Sequence, residues 1–144
     1  MGSLEDILKD LDEEKESSKV LSLLDSLKPF VRNSSVRDRV IELLLNCADR
    51  LVRIKATELL EELDSDDDKA VEALIKALLN DPDSFVRGFS AKALGKLGSV
   101  YAKEAIKRAC EDPDGFVRHY ANEALKIIEM KERLLSVIQK AKGG

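Results

Sequence analysis

The sequence predicts an all-α solenoid, a stack of about four helical hairpins, and three observations carry that prediction. The segment DPDSFVRGFSAKALGKLG, which begins at Asp81, returns as DPDGFVRHYANEALKIIE at Asp112, an offset of 31 residues. A fixed offset of this size is the mark of repeat architectures, in which each copy is one supersecondary unit that stacks on the next. Within a copy, Val86, Ser90, Ala93, Leu94 and Leu97 recur at three- and four-residue steps, which places them on one side of an α-helix. Between copies lies a second apolar unit, with Leu74, Ile75 and Leu78 in one, Ala105, Ile106 and Ala109 in the next, and Val40, Ile41 and Leu44 in an earlier one. Each repeat therefore holds two helices, and no strand-like alternation competes with them.

The elements follow in order. A helix near residues 3–13 carries Glu5, Asp6, Asp10, Asp12, Glu13 and Glu14, the polar cover that the open end of a solenoid needs. The next, near 17–28, is a degenerate copy. Val20, Leu23, Leu24 and Leu27 sit 36 residues ahead of the matching positions in LVRIKATELLEEL, with Ser17 where that copy has Arg53. Helices near 35–46 and 49–63 form the following hairpin, with Val52, Ala56, Leu59, Leu60 and Leu63 in the core positions of the second. Helices near 68–79 and 82–97 come next. Asp81 is expected to cap the latter, Pro82 to open it and Gly98 to stop it, since proline suits the first helical turn and glycine a left-handed stop.

A helix near 100–110 leads to the last, near 114–141. There Glu129 occupies the position of the stopping glycine and stops nothing. The helix either runs on toward Ala141, or its second half, with Leu134, Leu135, Val137 and Ile138, opens an incomplete fifth repeat; both readings make it a cap over the last repeat. The chain reads as one domain over residues 1–144, with repeats near 3–30, 34–64, 67–98 and 99–129 and a capping segment at 130–142.

The pattern DPDxFVRxxxxxAL at Asp81 and Asp112 resembles the HEAT family, in particular the short HEAT-like repeats of phycobilin lyases and of many archaeal and bacterial scaffold proteins. The likeness extends with losses through the copy around Val52 and is faint before Pro29. It implies a right-handed α-solenoid of HEAT-like hairpins whose second helices line a concave surface. The tryptophan and Leu-Gly signature of tetratricopeptide repeats and the Thr-Pro-Leu-His box of ankyrins are missing.

Composition removes several classes of function. With 24 Lys+Arg against 28 Asp+Glu, the net charge of −4 lacks the basic excess of a general nucleic-acid binder. No apolar run approaches the ~18 residues of a membrane span, and the acidic start is not a secretory or transit signal, so a cytoplasmic chain is expected. Cys47 and Cys110, far apart and outside any CxxC pair, read as small buried hydrophobes.

With His119 the sole histidine, no local Cys/His zinc set exists, and a serine or cysteine nucleophile has one candidate base at most. The His-Glu iron pairs of some HEAT-fold enzymes are absent as well, because His119 is followed by Tyr120. The run Asp64, Asp66, Asp67 and Asp68 lacks the turn glycine and closing glutamate of a calcium loop, and reads as an inter-repeat loop favouring the next helix N-terminus. No cofactor, metal or catalytic residue is expected.

A binding row follows from helical geometry. With the core stripe centred between Val86 and Ser90, Gly88, Ala91, Lys92 and Gly95 lie opposite. Their counterparts are Ile54, Thr57, Glu58 and Glu61 in the preceding repeat, and His119, Asn122, Glu123 and Lys126 in the following one. The resemblance places this row on the concave face. The small residues there either admit a partner's side chain or relieve crowding between helices. Arg53, Arg87 and Arg118 recur at one position, and the resemblance to HEAT-like arrays implies that they pair with the helix-opening aspartates, for which Asp49, Asp83 and Asp114 stand at the matching place.

These readings point to a non-catalytic scaffold that binds an unidentified protein or peptide. The rival is a nucleic-acid-binding module using Arg53, Lys55, Arg87, Lys92, Arg118 and Lys126, against which Glu58, Glu61 and Glu123 argue. Residues 1–33 carry a net −3 and residues 126–144 a net +3, a difference that solvent screening weakens, and a monomer is expected.

Overall fold

The structure is a computed structural model that describes residues 3–143. It contains eight α-helices and no strand among those residues: α1 (Leu4–Glu13), α2 (Ser17–Leu27), α3 (Ser34–Asn46), α4 (Arg50–Leu60), α5 (Asp68–Asn80), α6 (Ser84–Leu97), α7 (Lys103–Ala109) and α8 (Gly115–Gly143). Single 3₁₀ turns at Lys28–Phe30 and Val100–Ala102 follow α2 and precede α7. Helices pair as α3 with α4, α5 with α6 and α7 with α8. Like helices also pack on like across repeats, α3 on α5 on α7 in one layer and α2 on α4 on α6 on α8 in the other. This is the α-solenoid of HEAT-like hairpins.

Six of the eight helices, all but α2 and α7, begin where the sequence supplies a side-chain oxygen for their unpaired amides. Ser3 and Asp6 form a reciprocal capping box on α1. Asn33 accepts from the Ser35 and Val36 amides, and Asp49 from Leu51 at 2.8 Å. Asp67 accepts from Ala70, and Asp83 from Phe85 and Val86 at 2.8 and 3.1 Å.

The Asp-Pro-Asp box works differently from the expected reading. Asp81 does not cap α6 and Pro82 does not open it; Asp83 is the cap, and Ser84 is the first helical residue. Proline keeps Asp81 extended, with φ −64° and ψ 135°, and the Asp81 carboxylate accepts the Asp83 amide at 2.9 Å. The same turn recurs downstream, where Asp112 accepts from the Asp114 amide at 2.9 Å and Asp114 from Phe116 at 2.8 Å. Gly98 stops α6 at φ +69°, a conformation other residues rarely adopt.

The core runs through the stack as one body, with Leu24, Leu44, Leu60, Leu78, Leu94 and Ile128 among its fully buried members. Cys47 and Cys110 lie half-buried beside it at the ends of α3 and α7 rather than inside it.

α8 is one continuous helix of 29 residues, the first of the two courses the sequence allowed; the difference lies in what it covers. It does not fold back as a cap. Leu134, Leu135, Val137 and Ile138 are exposed by 59%, 49%, 63% and 42%, because the helix runs straight past the edge of the last hairpin. What holds α8 to the body is Val117, Ala121, Ala124 and Ile128, with Lys103 and Glu132 paired at 2.7 Å. Lys131 Nζ donates to the Gly98 carbonyl at 2.7 Å, at the end of α6.

Candidate partner-binding surface

In the second-helix layer, each inner helix has three packed sides: its hairpin partner and the second helices of both neighbouring repeats. That arrangement decides which of the expected row is surface. Gly88 and Ala91 are buried, and so is Gly95. A Cβ on Gly88 would lie 2.4 Å from the Phe116 ring, and one on Gly95 would lie 2.9 Å from Cα and Cβ of Ala124. These small residues are the seam between α6 and α8, so the expectation of an open strip at Gly88 and Ala91 is corrected in favour of close helix approach.

Thr57 is buried as well, its hydroxyl donating to the Ile54 carbonyl at 2.7 Å. Ile54, Glu58 and Glu61 are half-buried, with Glu58 facing Lys28 and Lys55 and Glu61 facing Lys96 at 3.5 Å. Lys92, His119, Asn122 and Lys126 are exposed. The last three occupy on α8 the positions that on α6 hold the glycine–alanine seam; here they are large, polar and open to solvent.

The true outward side of α6 is turned by roughly a quarter-turn from the expected row and bears Phe85, Phe89, Lys92 and Lys96. Phe85 stacks edge-on against Phe116 at 4.9 Å between centroids, and Phe116 meets Phe89 at 5.2 Å and Tyr120 at 5.0 Å. Four of the six aromatic residues of the chain thus converge on one patch between α6 and α8. Phe85 is 43% exposed, and the other three are half-buried.

Cations frame the patch. The Arg50 guanidinium lies 5.4 Å from the Phe85 ring centre and the Lys92 ammonium 6.0 Å from that of Phe89, within reach of the rings' negative faces. The sequence contained a signal for this cluster, the phenylalanine shared by both DPDxFVR segments, with Leu51 half-exposed at the equivalent place in α4.

The arginine ladder is structural, with different partners from those expected. Arg53 forks onto Asp81 at 2.9 and 3.1 Å and also donates to the Cys47 and Ala48 carbonyls. Arg87 repeats this one step on, forking onto Asp112 at 3.0 and 3.2 Å and donating to the Asp81 carbonyl. The partner is the first aspartate of the next Asp-Pro-Asp turn, while the second caps the helix and, at Asp83, also accepts from Arg50 at 2.6 Å. Arg118 donates to the Asp112 carbonyl at 2.7 Å and stays exposed.

Burial alone would raise the Asp112 carboxyl. The Arg87 hydrogen bonds, the Asp114 amide and the charges of Arg87 and Arg118 outweigh it, and hold the group below the usual carboxylate range. With Arg53 and Arg87 committed, Lys55 held by Asp25 at 2.8 Å and Lys126 beside Glu123 at 3.5 Å, four of the six residues a nucleic-acid reading requires are already paired within the protein.

These features define the class before any comparison: a short stack of helical hairpins with an aromatic surface patch between α6 and α8. The HEAT repeats family matches residues 37–126, more than half of the sequence, and the chain belongs to that family. Among curated proteins, none matches. Repeats of this family generally serve as protein-interaction scaffolds and are typically not enzymes. No helix among the described residues is long and apolar enough to cross a membrane.

Proposed function

We propose that this chain is a non-catalytic interaction module that holds a protein or peptide segment against the second-helix layer of its last two repeats. The observation that carries the reading is the aromatic patch. In a chain with only 4% aromatic residues, Phe85, Phe89, Phe116 and Tyr120 gather at one surface, with Arg50 and Lys92 at its edge. Rigid aromatic side chains ringed by polar groups are the usual energetic centre of protein interfaces. Of the row expected from sequence, Lys92, His119 and Glu58 remain as polar surroundings of this layer, while Thr57, Gly88 and Ala91 lie too deep to touch a partner.

The experiment is selection of binding peptides on the immobilised chain, followed by mapping the bound peptide by amide chemical-shift changes. Changes centred on Phe85, Phe89, Lys92, Phe116 and Tyr120, with at least about tenfold weaker binding by Phe85→Ala, support the reading. Changes centred on α3, α5 and α7 overturn it.

A further inference from the structure

We propose that the outward stripe of α8, formed by Ile127, Met130, Leu134, Val137 and Ala141, is the seam of a two-stranded coiled coil that accepts an acidic amphipathic helix from a partner protein. The site is separate from the aromatic patch and stands or falls independently of it. Each of these side chains is exposed, Met130 and Val137 by 63% each. The steps between them are three, four, three and four residues, the alternation of the a and d positions in heptads. The stripe faces roughly 120° away from the side of α8 that packs on the body, which is marked by Val117, Ala121, Ala124 and Ile128. The body therefore leaves it free.

Charge selects the occupant. In this register Lys126, Arg133 and Lys140 fill every g position along one border of the seam, whereas on the other border the e positions are Ile138 and Lys131, whose ammonium is turned to the Gly98 carbonyl. The acids of this stretch, Glu129 and Glu132, lie on the opposite side of the helix, and Glu132 is paired with Lys103. Residues at e and g decide which helix pairs with which, so a seam bordered by bases fits a helix bordered by Asp and Glu.

A second copy fits poorly. Antiparallel pairing sets the three basic g residues against their equivalents, and parallel pairing sets Lys126 against Lys131. The acidic α1 does not supply the partner either, because its Leu8 and Leu11 are buried in the core. An anionic lipid surface suits the basic borders. However, the seam follows the 3.5-residue repeat of a partner helix, the overhang lacks aromatic anchors, and residues 1–125 carry 26 acids against 19 bases. From Ile127 to Ala141 the seam is roughly 21 Å long at 1.5 Å per residue, two heptads of partner helix.

The test uses the full chain and two fluorescent peptides about three heptads long, with identical Leu and Ile seams, one carrying Glu at every e and g position and the other Lys. At low ionic strength the Glu peptide is expected to bind at least about tenfold more tightly than the Lys peptide. Leu134→Glu should abolish this binding without moving thermal unfolding. The double variant Arg133→Glu, Lys140→Glu should reverse the preference, and Phe85→Ala should leave it unchanged.

Absence of binding by both peptides, or equal binding, overturns the proposal. Two further results do so by naming another occupant. One is a dimer in analytical ultracentrifugation that Leu134→Glu dissolves; the other is Leu134-dependent pelleting with phosphatidylserine vesicles in a chain indifferent to the two peptides.

Discussion

Ser90 sits fully buried in the core position that Ala56 and Ala121 occupy in the repeats on either side, and its hydroxyl has no hydrogen-bond partner. A buried polar group left unpaired costs about 1–3 kcal/mol, so Ser90→Ala should raise the urea midpoint while leaving the slope of the transition unchanged. A lowered midpoint would show that the hydroxyl is served. Ion pairs separate by burial in the same way. Arg87 and Asp112 are 15% and 11% exposed, and breaking such a pair by Arg87→Ala should cost about 3–5 kcal/mol, because it strands the aspartate. Arg39 and Asp12, at 43% and 46%, form an equally short pair whose loss should barely move the midpoint, because solvent screens it.

The ladder's Asp112 and the helix-capping Asp83 also set a pH dependence, since both titrate below the ordinary carboxylate range, Asp83 despite burial, through Arg50 and the amides it caps. A carboxyl lowered by folding contributes its full stabilisation above the unfolded value, ~3.9, and loses it as the pH falls through the folded one. Urea unfolding from pH 6 to pH 3 should show that loss, and Asp112→Asn should flatten part of it.

At the scale of the element, the α6–α8 seam yields a prediction whose sign depends on which of two effects is larger. Gly95→Ala gains roughly 1 kcal/mol of helix propensity. It also sets a Cβ 2.9 Å from backbone and side chain of Ala124, and overpacking of that kind costs about 1–3 kcal/mol. Because backbone atoms have little room to yield, the variant should be less stable than the parent in thermal unfolding.

This seam also marks where sequence reading stopped. Helix count, hairpin pairing and most helix ends were legible, because apolar periodicity and capping residues act over one or two turns. The error at Pro82 arose because two aspartates flank the proline and only geometry decides which one caps. The error at Gly88 and Ala91 has a different cause: a helical wheel gives the direction of a side chain and not what lies there, and on α6 a neighbouring helix lies there. The aromatic patch was hidden for the same reason, since its rings come from two repeats. The course of α8 beyond Glu129 was open, because no glycine or proline in that stretch decides between a bend and a straight helix.

For the whole molecule, order should be graded along the stack. The first hairpin has Ser17 where later repeats have the ladder arginine, and its Leu8, Leu11 and Val20 retain 9%, 6% and 8% exposure where Val86, Leu94 and Ala121 retain none. Repeat proteins are held by nearest-neighbour interfaces, so their weakest end opens without the rest. Amide hydrogen exchange should be fastest in α1 and α2 and slowest in α5, α6 and the first half of α8; uniform protection would contradict this gradient.

The Lys131 contact to the Gly98 carbonyl has a mechanical consequence. Together with the backbone approach at Gly95 and Ala124 and the Lys103–Glu132 pair, it fixes the first part of α8 to the body and leaves the described residues 133–143 as an arm standing off it, roughly 16 Å of helix. A pull on that arm acts as torque on α6 and α7 before it can bend the helix itself. Load applied by anything that grips the arm thus enters the molecule at its stiff end. Compliance is left to the opposite end, so the chain behaves as a lever on a firm bearing with a soft spring behind it.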